Sequence, residues 1–193
     1  PDPVEAPPTP EASEMDFEYP CEAVAPESAH MRPGLSEEGR YLAVDGRTLE
    51  APGLTVSLEG APGNALAHPS HPVAYVVSSS RDDRRIYVVN LDDGEILQDL
   101  IPGDSFFGLA LAPDGSRLYA SSGKLGRIDV FEVDDSGLLG PPTPFETGGY
   151  PAGLALAEDG TRLWVGMYNR AELVELNTED GTVLRRISLS QEA

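Results

Sequence analysis

Gly108-Leu109-Ala110-Leu111-Ala112-Pro113-Asp114-Gly115-Ser116-Arg117-Leu118-Tyr119 decides the fold, because the chain writes this stretch again. Gly153-Leu154-Ala155-Leu156-Ala157-Glu158-Asp159-Gly160-Thr161-Arg162-Leu163-Trp164 follows it at a spacing of 45 residues. An earlier copy, Gly63-Asn64-Ala65-Leu66-Ala67, stands 45 residues before it and runs into His68-Pro69-Ser70-His71-Pro72-Val73-Ala74-Tyr75, one residue shorter to its aromatic. A third element recurs after 42 and then 45 residues: Ile86-Tyr87-Val88-Val89 matches Ile128-Asp129-Val130-Phe131 and Leu173-Val174-Glu175-Leu176. Each then meets a turn signal, at Asp93-Gly94, Ser136-Gly137 and Asp180-Gly181. Three independent elements at a shared period of about 45 residues identify a repeat architecture.

Within one copy the local structure follows from residue type. Residues 107–112 are small and apolar, as a tightly packed strand requires. Asp114-Gly115 supplies the positive-φ position of a tight turn. Residues 117–122 and 127–133 form the second and third strands, the latter with apolar alternation at Ile128, Val130 and Phe131. A weaker fourth strand is expected near 138–146, where Pro141, Pro142 and Pro144 fit only an edge. Four antiparallel strands in about 45 residues make one blade of a β-propeller, so the expected fold is all-β. Gly and Ala in the first strand suit the crowded inner wall where blades converge.

The blades are expected at 64–104, 105–149 and 150–193, after a degenerate or partial blade at 31–63 in which Leu54 to Leu58 echoes a later strand. Rings close with about four to eight blades. The expectation is therefore an incomplete ring or part of a larger, seven-bladed one, completed by a longer polypeptide or by another chain. Residues 1–30 differ: they hold seven of the 18 prolines and eight acidic residues, with no Lys or Arg. That composition reads as an acidic, extended tail or linker, with Phe17 and Tyr19 as the apolar spots of a docking arm. The chain opens at Pro1 without a leader, and the start is read as processed.

At this point the residues carry a resemblance. Tyr75-Val76-Val77-Ser78, followed by Ile86-Tyr87-Val88-Val89-Asn90-Leu91-Asp92-Asp93-Gly94, resembles the YVTN-type repeat of surface and periplasmic propellers. Ala112-Pro113-Asp114-Gly115 resembles the same family's turn between first and second strands. The resemblance covers about 60–193 and implies the architecture. It is shared by lactonase-like propellers and by propellers fused to hydrolases, so it leaves activity open. It also implies a periplasmic, cell-surface or extracellular setting.

Composition limits the chemistry. With 13 basic against 33 acidic residues the formal charge is −20, which argues against nucleic acid and anionic membrane surfaces. No apolar run reaches the ~20 residues of a membrane helix. The lone Cys21 excludes an internal disulfide and sites built from several thiolates. His68 and His71 have ligand-like spacing but no third ligand, and they occupy a turn, so the expected role is structural. The clusters at 92–95, 134–137 and 179–181 lack the alternate-position carboxylates of a calcium loop and fall where turns are required. Ser78, Ser121 and Ser122 sit in no nucleophile elbow and are expected to satisfy backbone groups. No catalytic residue, metal ligand or cofactor site is assigned.

The candidate surface comes from topology. Ligands of propellers meet the end formed by the connections between strands two and three and between blades. Here those carry Arg81, Arg84, Lys124, Arg127, Tyr168, Asn169 and Arg170, with Phe106 and Tyr150 between blades. A cationic, aromatic rim on an anionic body would attract an acidic protein or an anionic ligand. The expectation is a non-enzymatic binding or scaffolding propeller that engages a protein partner or further blades. The alternative is the propeller portion of a lactonase-like or hydrolase-fused enzyme with its catalytic residues outside this chain.

Overall fold

A computed structural model describes residues 53–79, 84–103 and 105–189, the backbone alone at Ser105 and Phe106, and three short strands before residue 50. The chain divides into two units, Pro1–Pro52 and Gly53–Ala193. In the first, β1 (Gly34–Leu35), β2 (Tyr41–Leu42) and β3 (Thr48–Leu49) pair antiparallel as a three-stranded sheet. The rest of that unit, with Phe17 and Tyr19, lies outside the described residues.

The second unit is three antiparallel meanders of four strands each. They are β4 (Ala61–Ala67), β5 (Val73–Ser79), β6 (Arg84–Asn90) and β7 (Ile96–Leu100); then β8 (Ser105–Leu111), β9 (Arg117–Ser122), β10 (Arg127–Glu132) and β11 (Thr143–Glu146); then β12 (Pro151–Leu156), β13 (Arg162–Met167), β14 (Glu172–Asn177) and β15 (Val183–Ser188). Each sheet runs in sequence order from inner to outer strand. These are propeller blades, and no helix occurs among the described residues. Residues 54–58, expected as a strand, carry no strand pairing. Leu54 and Val56 instead pack under the first blade's outer turn, where a Cβ on Gly94 would meet them at 2.8 and 3.0 Å.

Blades meet through apolar faces. Tyr75, Val77, Ile86 and Val88 of the first blade pack on Leu109, Leu118, Ala120 and Phe131 of the second. Tyr119, Ile128 and Val130 on the second blade's other face pack on Leu163, Val165, Val174 and Leu176 of the third. Two-residue periodicity sends alternate side chains of each strand to opposite neighbours, so a blade inside the stack needs apolar residues on both faces. Full burial of each Leu, Ile or Val contributes roughly 1.5–3 kcal/mol.

The glycines of the repeat have a geometric cause. The ladder slips at the same place in every first strand: between Pro62 and Asn64, between Ser105 and Leu109, and between Pro151 and Leu154. Gly63, Gly108 and Gly153 lie in these bulges. A Cβ on Gly108 would come within 2.0 Å of the Ala152 carbonyl oxygen, and one on Gly63 within 2.4 Å of the Phe107 ring. At Gly63 and Gly108 the next blade thus leaves a side chain no room, whereas nothing lies within 4 Å of a Cβ on Gly153.

Candidate functional site

The two ends of the stack differ in build. One carries the turns between first and second strands and between third and fourth strands, and it is stitched blade to blade. His68 Nδ1 accepts the backbone N–H groups of Ser70 and His71, both at 3.0 Å. Its proton therefore sits on Nε2, which donates to the Gly115 carbonyl of the next blade at 3.3 Å. Tyr75 Oη donates to the Gly137 carbonyl at 3.0 Å, and Arg117 Nη1 of the second blade donates to the Thr178 carbonyl of the third at 3.3 Å. With both ring nitrogens of His68 engaged inside the protein, the His68–His71 pair works as a blade connector.

The acidic clusters are turn chemistry at the same end. Asp114, Asp134, Asp159 and Asp180 each accept the backbone N–H two residues on, at 2.8–3.0 Å. Asp134 also accepts the Leu138 N–H at 2.9 Å, and these hydrogen bonds, that from Leu138 foremost at Asp134, hold all four carboxyls below the ordinary aspartate range. Gly94, Gly137 and Gly181 hold the positive-φ corners, with φ of 78°, 80° and 73°.

The other end carries the second-to-third-strand turns and the connections between blades, and here the structure gathers most of the rim residues. The turn at 123–126 of the second blade is tied to the connection into the third: Thr147 and Gly148 donate their N–H groups to the Gly126 carbonyl at 3.0 and 2.8 Å. The Tyr150 ring lies over Gly123, where a Cβ would fall 2.3 Å from Cε1. The Tyr168 N–H donates to the Tyr150 carbonyl at 2.8 Å, and the two rings meet at 5.7 Å between centroids. Asn169 Oδ1 and Arg170 Nε flank Gly149, at 3.5 and 3.6 Å from the position of a Cβ there. Lys124 shares the turn with Gly123. Tyr168 remains 75 % exposed.

Two rim residues at this end belong to strands rather than to loops. Arg127 is the first residue of β10 and not a loop cation. Its side chain is 28 % exposed and turns inward, with Nε 2.8 Å from Oδ1 of the fully buried Asp129 but not aligned for a hydrogen bond. Arg84 begins β6 in the first blade, half-buried. Phe106 lies in β8 without a described side chain, and Arg81 lies outside the described residues.

Sequence reading missed Asp129, whose other oxygen accepts a hydrogen bond from Ser122 between the first two blades. The signal was available, since Asp129 alternates with Ile128 and Val130 and shares the face of Phe131. Ser78 and Ser121 serve the backbone: Ser78 Oγ donates to the Glu59 carbonyl at 2.6 Å, and Ser121 Oγ accepts from the Gly108 N–H at 3.0 Å.

Comparisons with known proteins agree with this architecture. The profile of the family described as the SMP-30/Gluconolactonase/LRE-like region matches residues 73–193. No curated protein sequence matches the chain. Among solved structures, the chain is similar to the hydrazine synthase of Kuenenia stuttgartiensis, with a TM-score of 0.57 and 15 % identity over 72 % of this chain and 39 % of that one. It is similar to a luciferin-regenerating enzyme, with a TM-score of 0.55 and 19 % identity over 65 % and 45 %. It is also similar to a chain of the nidogen/laminin complex, with a TM-score of 0.53 and 17 % identity over 77 % and 54 %. The chain thus spans from about two-fifths to just over half of the length of these structures, and at such identities the likeness concerns the fold alone.

Proposed function

The chain belongs to the SMP-30/gluconolactonase/LRE-like family, and from that premise we propose that it is an extracytoplasmic binding or scaffolding propeller. It engages a protein partner through the end that carries Lys124, Tyr150, Tyr168, Asn169 and Arg170. One observation carries the reading: Tyr168 presents three quarters of its surface to solvent while its ring rests against Tyr150. Large exposed aromatics flanked by Arg and Lys are the composition of interface hot spots, because they desolvate a wide area at low entropy cost. The cations select an acidic surface, and the net charge of −20 discourages indiscriminate adhesion.

The test uses immobilised random poly(Glu,Tyr) as a generic acidic, aromatic partner, with poly-Lys as its opposite. The wild-type chain is expected to bind the first, and Tyr168→Ala with Arg170→Glu to weaken binding at least tenfold. Equal binding by wild type and variant would remove the rim from the reading. A second reading, the propeller portion of a lactonase-like enzyme completed by residues outside this chain, is favoured by the family membership itself. Acid release from a sugar lactone by the product of the entire gene, followed by pH-stat, would put the enzyme reading first.

A further inference from the structure

The three outer strands protect their free edges differently. Pro144 removes an amide donor within β11 and Pro142 one just before it, and β15 carries the charged pair Arg185 and Arg186. Both are familiar ways to stop a strand from recruiting another. The first blade's β7 has neither: Ile96 to Ile101 contains no proline, Lys or Arg. Its one charge, Asp99, is bound by Arg85 at 2.5 Å. Among the described residues β7 pairs on one side only, and Ile96, Leu97 and Ile101 are 40 %, 37 % and 58 % exposed.

A built feature lies beside this strand. Gln98 holds the backbone of the second blade at two points, its Nε2 donating to the Leu139 carbonyl at 3.0 Å and its Oε1 accepting the Leu139 N–H at 2.8 Å. The side chain thereby fixes the 138–142 segment next to β7. Between them opens an apolar groove of about 260 Å³, floored by Phe131 and Leu139 and walled by Ile101, Pro141 and Pro142. At the start of β7 stand the exposed carboxylates of Asp92, Asp93 and Glu95.

We propose that β7 is a β-augmentation site for an extended partner segment with apolar residues at alternate positions and a basic end. The segment adds a fifth, antiparallel strand to the first blade. The face of that strand turned towards the second blade lays its apolar side chains over the groove, and its basic C-terminal end meets Asp92, Asp93 and Glu95. Charge complementarity selects this occupant over a second copy of the chain, because in an antiparallel β7–β7 pair each acidic turn would meet the other copy's Leu100–Ile101 end, which offers it no cation, on bodies that each carry a net charge of −20. The site is separate from the aromatic rim.

The experiment measures fluorescence anisotropy of a labelled VTVTVKR peptide with the full chain, against VTVTVEE. The first is expected to bind at least tenfold more tightly, with the preference shrinking in 1 M salt as screening takes hold. Leu97→Lys should weaken VTVTVKR binding at least tenfold, while Leu184→Lys on β15 should leave it unchanged. Far-UV dichroism and melting temperature establish that both variants fold. Failure of VTVTVKR to bind, or equal binding by wild type and Leu97→Lys, overturns the proposal. So does concentration-dependent dimerisation in sedimentation that Leu97→Lys abolishes, since the occupant is then a second copy.

Discussion

His68 Nε2 and the carbonyl oxygen of Gly115 stand 3.3 Å apart across the first blade boundary, joining residues 47 positions apart in the chain. The same offset recurs one blade later, where a Cβ on Gly160 would lie 3.2 Å from Pro113. The residue that ends one first strand thus covers the turn glycine of the next blade. Period and contact are two views of a single constraint, which makes the turn glycines the sharpest test of the stacking.

Gly115 combines a φ of +80° with a Cβ position 2.3 Å from His68 Nε2. Gly148 has a φ of +66° and open space around it. Alanine at either site carries the left-handed penalty of roughly 1–2 kcal/mol, but only at Gly115 must the imidazole also be displaced and its hydrogen bond broken. Gly115→Ala is therefore expected to cost about 1–2 kcal/mol more than Gly148→Ala. Urea unfolding of the two variants measures the difference, and equal costs would show that the His68 contact is energetically idle.

Asp129 is fully buried, and Arg127 is its cationic neighbour at 2.8 Å. Removing one partner of such a pair leaves a charge stranded between two blades, at a cost of roughly 3–5 kcal/mol for fully buried pairs. Because Arg127 keeps some access to water, Arg127→Met is expected to cost about 2–3 kcal/mol. Adding Asp129→Leu should recover most of that loss, since the stranded charge is then gone. A double-mutant cycle in urea reads the coupling, and strict additivity of the two changes would deny it.

The repeat, its strands and its turns were legible because each has a local chemical cause: positive φ at Asp-Gly corners, small residues where inner strands touch, alternation where both faces are covered. The bulges around Gly63, Gly108 and Gly153 were not, because a ladder slip depends on the neighbouring blade. Arg127 resembled a loop cation because Lys124-Leu125-Gly126 precedes it, and only the burial of Asp129 shows where its charge is spent. Lys124, Tyr150, Tyr168, Asn169 and Arg170 could be assigned to one end from strand count alone. That Tyr150 rests on Gly123 and Tyr168 on Tyr150 is tertiary information.

Stability should fall at both extremes of pH, for opposite reasons. At the acid end, Asp114, Asp134, Asp159 and Asp180 have carboxyls held down by backbone N–H groups. Their contribution is complete above the unfolded aspartate value of about 3.9 and is lost as pH drops through the lower folded values. Replacing all four by Asn keeps an acceptor in each turn and removes the proton, so the acid slope of the melting temperature should flatten. At the alkaline end, burial, assisted by the charge of Asp134, pushes the Tyr75 phenol up to about 12. Its neutral form stabilises the fold fully below about pH 10, and that contribution is lost as pH rises towards the folded value. Tyr75→Phe should flatten the alkaline slope, and phenolate absorbance of the wild type should show Tyr75 among the tyrosines that titrate late, with Tyr87 and Tyr119, whose phenols burial also pushes up. An unchanged slope in either variant would detach that residue from the pH response.

The inner wall offers the last comparison, between two glycines at one repeat position. A Cβ on Gly108 would sit 2.0 Å from the Ala152 backbone oxygen and 2.8 Å from Leu154, whereas nothing lies within 4 Å of a Cβ on Gly153. A backbone oxygen has no rotamer to escape into, so Gly108→Ala has to push the inner strands of the second and third blades apart. That disrupts packing along the boundary formed by Ala110, Tyr119, Leu163 and Val165, and overpacking of this kind costs about 1–3 kcal/mol or more. Gly153→Ala is expected to stay within about 1 kcal/mol of wild type, since its backbone is not in the left-handed region. If a further blade from this or another polypeptide closes against β12, Gly153 acquires the neighbour that Gly108 already has. Gly153→Ala would then fold normally as residues 1–193 yet destabilise the complete ring. Thermal melts of both variants, alone and within the complete gene product, separate these cases. Equal tolerance of the two alanines in residues 1–193 would refute the close approach of the inner strands.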